Sequence, residues 1–102
     1  MSKPKETPIL SDTELLHLAA RFKLLGEPMR LKILQSVCHQ ARTVGDIVAA
    51  AGSTQANVSK HLALLTTSGV LDRRKAGQFV YYGIRDKLVM RLCNLARTKL
   101  AE

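Results

Sequence analysis

The chain has 102 residues, with 16 Lys and Arg against 8 Asp and Glu for a formal charge of +8, and two cysteines, Cys38 and Cys93. That length suits one domain around one modest core, and the excess of cations selects a polyanionic partner, nucleic acid or an acidic surface. No apolar run approaches the ~18 residues of a membrane span, Met1 to Glu6 leads into no signal-like segment, and two distant cysteines without Cys-x-x-Cys are unlike a secreted disulfide scaffold or a zinc module; the expectation is a cytoplasmic protein with reduced thiols that does not engage a membrane.

Residues 1–10 carry two prolines, mixed charge and no hydrophobic period, and read as a flexible arm ahead of a single domain over 11–102. Ser11-Asp12-Thr13-Glu14 has the form of a capping box, and it opens a helix to about Leu25. Its Leu15, Leu16, Leu18, Ala19, Phe22 and Leu25 cover more than half the circumference, too much for a helix meeting one core, so a second surface is needed to cover it. Gly26 stops this helix and Pro28 suits the first turn of the next, expected over about Glu27 to His39 with Ile33, Leu34 and Val37 inward.

Thr43 to Gly52 reads as a short helix from a Thr cap to a Gly stop, and Ser53 or Thr54 caps another. In this next helix Val58, Leu62 and Leu65 share one arc, while Ala56, Ser59, Lys60 and Ala63 lie roughly opposite, with Gln55 and Asn57 flanking. An ordinary surface helix also has a polar face, so the neighbours decide. Two helices joined through about three residues including Gly form a helix-turn-helix, and small side chains beside amide, hydroxyl and ammonium groups suit a DNA major groove. Val70 to Lys75 and Gln78 to Ile84, flanking Ala76-Gly77, then alternate as a β-hairpin with Arg73, Arg74 and Lys75 near its tip, the pattern of a wing. Asp86 caps a last helix to about Leu100, whose Leu88, Val89, Leu92, Leu95, Ala96 and Leu100 again exceed what one core can cover. The fold class is therefore α+β, mainly helical: a winged helix-turn-helix with a two-stranded wing, dimerising through its first and last helices and offering two recognition helices to two half-sites of a double-stranded DNA operator.

Leu24-Leu25-Gly26-Glu27-Pro28-Met29-Arg30-Leu31-Lys32-Ile33-Leu34, Val44-Gly45-Asp46-Ile47, Val58-Ser59-Lys60-His61-Leu62, Arg74-Lys75-Ala76-Gly77-Gln78 and Val80-Tyr81-Tyr82, in that order, resemble the ArsR/SmtB family of winged-helix repressors over roughly residues 11–102. The resemblance implies a homodimeric repressor that leaves its operator when an inducer binds. It places Thr54, Gln55, Ala56, Asn57, Ser59, Lys60 and His61 in the DNA-reading helix and Arg73, Arg74, Lys75 and Gln78 in the wing. Gln55 and Asn57 can pair with an adenine edge, Ser59 and Lys60 suit phosphate or base contacts, and Arg74 and Lys75 suit phosphates. His61, at the edge of the buried arc, is equally a packed, hydrogen-bonded imidazole.

The metal-sensing strings of that family are incomplete here. Thr43-Val44-Gly45-Asp46-Ile47 stands where some members resemble Cys-Val-Cys-Asp-Leu, and Asp86-Lys87-Leu88 with Lys99-Leu100-Ala101-Glu102 where others resemble Asp-x-His and His-x-x-Glu. Two carboxylates beside a lysine do not make a tight zinc site, so no cofactor is expected at the usual positions. Cys38 and Cys93 remain as inert packing, as a thiol switch responding to an oxidant or sulfur species, or, with His39, as a non-standard metal site; a regulator independent of any inducer is the further alternative. No oxyanion loop, acid pair or phosphate cradle accompanies Cys38 with His39 or His61, which excludes an enzyme.

Overall fold

The computed structural model describes residues 9–100, so the arm expected over residues 1–10 and the charged end at Glu102 fall wholly or mainly outside the described residues. Helix α1 (Asp12–Leu25) starts on the expected capping box: Glu14 N donates to Ser11 Oγ at 3.1 Å and Ser11 N to Glu14 Oε1 at 2.9 Å. Glu27 caps α2 (Pro28–Ser36), its carboxylate accepting from Arg30 N at 2.9 Å, with Pro28 in the first turn where an N–H is dispensable.

Helix α2 stops at Ser36 rather than continuing to His39. Ser36 Oγ turns back to donate to Ile33 O at 2.6 Å, Val37 N and Cys38 N donate three residues back to Leu34 O at 3.2 Å and Gln35 O at 3.4 Å, and Arg42 Nε caps Ser36 O at 2.8 Å. The last turn thus satisfies its carbonyls without further helix, and Cys38 sits in the turn after α2, not on it.

Strand β1 (Arg42–Thr43) is an addition to the expected two-stranded wing: it pairs antiparallel with β3, giving a three-stranded sheet of order β1-β3-β2. Thr43 then caps α3 (Val44–Ala51), which ends at Gly52 with φ 67°, a left-handed turn that glycine adopts without strain. Thr54 caps α4 (Gln55–Thr67), Asn57 N donating to its hydroxyl at 3.1 Å. Strands β2 (Leu71–Ala76) and β3 (Phe79–Ile84) pair with Ala76 opposite Phe79, so the tip is Gly77-Gln78, one residue later than expected, with Gly77 at φ 64°. By this register Arg73 and Lys75 share one face of the ribbon and Arg74, opposite Tyr81, lies on the other.

The core gathers Ile33, Leu34 and Val37 after and within α2, Ile47 and Ala51 of α3, Val58, Leu62 and Leu65 of α4, then Val70, Leu71 and Val89, each at most 2% exposed. Helix α1 contributes no fully buried residue: Leu16 is 70% and Phe22 54% exposed. Helix α5 (Lys87–Leu100) buries Val89 but leaves Leu95 59% exposed. The surplus apolar surface expected on the first and last helices is therefore present on the single chain.

Asp86 joins these two helices. Its carboxylate accepts from Leu88 N at 3.0 Å and Val89 N at 3.3 Å, capping α5, and from Arg21 Nε of α1 at 2.6 Å. Burial alone would push its pKa up, but the Arg21 hydrogen bond and charge, with the two amides, outweigh it and hold the carboxyl below its ordinary 3.8. A carboxyl depressed by folding adds stability that is present above 3.8 and is lost as pH falls through the folded value. Asp86→Asn keeps a capping acceptor but loses the charge; with Arg21 about a third exposed, urea unfolding at pH 7 should show a loss of roughly 1 kcal/mol that fades as the solution is acidified. A difference between the two proteins that stays constant into strong acid would place the effect elsewhere.

Candidate nucleic-acid interface

On α4, Gln55, Ala56, Ser59, Lys60 and Ala63 are all exposed, and at 100° per residue they occupy one continuous arc, in which Ala56, Lys60 and Ala63 face away from the buried Val58, Leu62 and Leu65 and Gln55 stands at the edge beside Leu62. The other expected reading residues are committed elsewhere. Thr54 spends its hydroxyl on the cap. Asn57 is half-buried, its Nδ2 donating to Ser53 Oγ at 3.0 Å, so the amide braces the turn before α4 and the outward-facing amide is that of Gln55. His61 is also half-buried and accepts at Nδ1 from Arg30 Nε at 3.4 Å, the packed imidazole of the two roles open to it.

Arg30 is the residue that sequence reasoning missed. Besides His61 it donates through a terminal nitrogen to Leu24 O at 3.3 Å, and its backbone amide meets Glu27. One side chain thereby ties the end of α1, the start of α2 and the buried flank of α4. The available signal was the Arg three residues after a Glu cap, read only as part of a string.

In the wing Arg73, Arg74, Lys75 and Gln78 are exposed, with Gln78 in the turn itself and Phe79 beside it half-exposed. Helix α4 and β2 are separated by a few residues, and Val70 N returns to Leu65 O at 3.0 Å, which fixes the cationic ribbon against the end of the helix.

Both cysteines line one groove of about 450 Å³ between the turn after α2 and α5. Cys38 Sγ donates to Asn94 Oδ1 at 3.4 Å, and Arg97 donates to His39 Nε2 at 2.7 Å, which assigns the ring proton to Nδ1. Burial, and secondarily Cys38, push the Cys93 thiol up from its ordinary range. Among the described residues no three of His, Cys, Asp and Glu stand close enough to hold a metal ion, Cys38, His39 and Cys93 included.

The family model described as bacterial regulatory protein, arsR family, matches residues 27–73, from the Glu27 cap through the helix-turn-helix into β2. The HTH-type transcriptional regulator Rv0081 of Mycobacterium tuberculosis is 32% identical over 81 residues, covering 78% of this chain and 71% of that one. This chain belongs to the ArsR family. The crystal structure of Rv0081 superposes with a TM-score of 0.74 at 30% identity, over 90% of this chain and 92% of that one. Another relative, the probable mercury resistance operon repressor of Streptomyces lividans, is 37% identical over 81 residues, 79% of this chain, which spans 65% of that protein's length. The solution structure of the homodimeric winged helix-turn-helix DNA-binding domain of Mb0332 from Mycobacterium bovis matches with a TM-score of 0.77 and 29% identity, over 94% of this chain and 92% of that one. Membership of the ArsR family places the chain among regulatory proteins rather than enzymes, and the fold is the winged helix-turn-helix. No helix among the described residues is long and apolar enough to cross a membrane.

Proposed function

We propose that the chain is a sequence-specific transcriptional repressor that binds duplex DNA as a homodimer in the cytoplasm. The observation that carries this reading is the exposed arc of small and polar side chains on α4, from Gln55 to Ala63, with a ribbon of three cations held against its end. The arc suits the major groove, where Gln55 and Ser59 meet base edges, and the wing cations suit the flanking backbone. The uncovered apolar faces of α1 and α5 supply a two-fold interface, and the Mycobacterium bovis domain is described as homodimeric. Titration of the purified chain with a palindrome from its own upstream DNA and with random duplex should show a preference of ~10³ or more at equal salt. Equal binding to both overturns the reading. Arg74→Ala should lower the slope of log affinity against log salt by about 1 and leave the preference among operator variants unchanged; a changed preference would mean that the wing reads bases.

For the inducer we infer a thiol-reactive species acting at Cys38 and Cys93. Their shared groove supports this, because a peroxide could take two electrons and two protons from the pair, forming one S–S bond and leaving as two waters. Burial pushes the Cys93 thiol up and so disfavours its thiolate. Peroxide should then weaken operator binding by wild type at least ten-fold and by Cys38→Ser not at all; undiminished wild-type binding removes the switch. A soft cation is the second reading, favoured by the same two sulfurs and by the naming of the Streptomyces relative for mercury resistance. Release by mercuric ion but not by peroxide selects it, and release by neither selects a regulator without an inducer.

A further inference from the structure

The ArsR reading leaves unused a second groove, of about 590 Å³, between α1 and the C-terminal half of α4. Its volume is that of a small-molecule site. His17, Arg21, Lys23 and Arg30 stand around apolar walls that include Leu24 and Leu64, and no Asp or Glu lines it. Both guanidiniums are pre-set by the protein. Arg21 spends Nε on Asp86 and a terminal nitrogen on His17 O; Arg30 spends Nε on His61 and a terminal nitrogen on Leu24 O. Among the described residues the second terminal nitrogen of each makes no hydrogen bond to protein.

We propose that this groove binds a small organic anion, a carboxylate carried on an apolar body, and that the bound anion acts on α4 through Arg30. The two oxygens of a carboxylate can accept from the free terminal nitrogens of the two arginines, while apolar walls offer nothing to a fully hydrated inorganic ion. At 100° per residue His17, Arg21 and Leu24 lie on the side of α1 opposite Leu15, Ala19 and Phe22, with the exposed Leu16 between the two sides. The route to α4 is short: the Arg30–His61 bond is long at 3.4 Å, and a carboxylate is a stronger acceptor than a neutral imidazole. Drawing Arg30 toward the ligand releases His61, the side chain that fixes the flank of the helix with the outward arc.

The test is a titration of the isotope-labelled chain with 1-naphthoate, followed by amide and histidine-ring NMR without DNA, so that its failure is separate from any failure of the repressor reading. Shifts should concentrate at Ala20, Lys23, Leu24, Leu64 and Ser68 and at the His61 ring. The uncharged 1-naphthalenemethanol should bind at least ten-fold more weakly. Ala20→Trp, which fills the groove while leaving both arginine braces in place, should bind naphthoate at least ten-fold more weakly with an unchanged melting temperature. Shifts confined to the Cys38–Cys93 groove or to the α1 strip, equal binding of the alcohol, or an unaffected Ala20→Trp variant would each overturn the site. If the site fills but saturating naphthoate leaves operator affinity equal in wild type and Ala20→Trp, the coupling through Arg30 is overturned.

Discussion

Ser59→Glu should weaken operator binding by roughly a hundred-fold or more while the protein stays folded. Ser59 lies exposed within the α4 arc, between Gln55 and Ala63. A carboxylate there faces phosphates and the acceptor-rich edges of bases, and like-charge juxtaposition at an interface costs several kcal/mol. It also enlarges a side chain where close approach depends on small ones. Stability should move by no more than about 0.5 kcal/mol, because the site is exposed and Glu is a good helix former. Fluorescence anisotropy at fixed salt, with circular dichroism as the folding control, reads both quantities. Binding retained within ten-fold of wild type would mean that another face of the chain meets DNA.

Phe22→Glu should convert a dimer to a monomer at micromolar concentration. Phe22 sits 54% exposed on α1, on the same side as Leu15 and Ala19, and contributes nothing to the core of its own chain. A paired copy would bury the ring, and a carboxylate in its place would lose that apolar contact and demand desolvation of a charge without a partner. Sedimentation equilibrium should therefore show loss of the dimer, and operator affinity should fall with it, since one half-site is then held without the other. Thermal unfolding of the isolated monomer should change little. A Phe22→Glu chain that remains dimeric would put the interface elsewhere on the apolar surface of α1 and α5, where Leu16, Leu95 and Leu100 are the next candidates.

Much of this architecture could be read from periodicity and caps, and the departures share a physical cause. The helices announced themselves through Ser11, Glu27-Pro28, Thr43, Thr54 and Asp86, each of which caps or opens a helix as expected. The end of α2 did not, because Ser36 and Arg42 close it with side-chain bonds that leave no Gly or Pro behind. Strand β1 spans two residues, too few for an alternation to register. The hairpin tip slipped by one residue because Ala76-Gly77 and Gly77-Gln78 both place a glycine in a two-residue turn, and only pairing with β3 decides between them. Around the site, outward positions follow from helical spacing, and Gln55, Ser59 and Lys60 are where spacing puts them. What Asn57, His61 and Arg30 do depends on partners four to thirty-one positions away, which no local pattern carries.

Strand β1 constrains how any signal can act. It runs directly into α3 and is paired with β3, so the helix pair and the ribbon are anchored to one another at both ends. The ribbon cannot swing while the helices stay still. In a paired molecule the two reading heads would then behave as the jaws of a caliper with a fixed gauge, and the proposed inducer would have to change the gauge as a whole. Such a device tolerates sequence changes within each half-site one at a time but should reject the insertion of even a few base pairs between them, and an added full turn of about 10 base pairs, which restores the groove face but moves the half-sites roughly 34 Å further apart, should not recover binding.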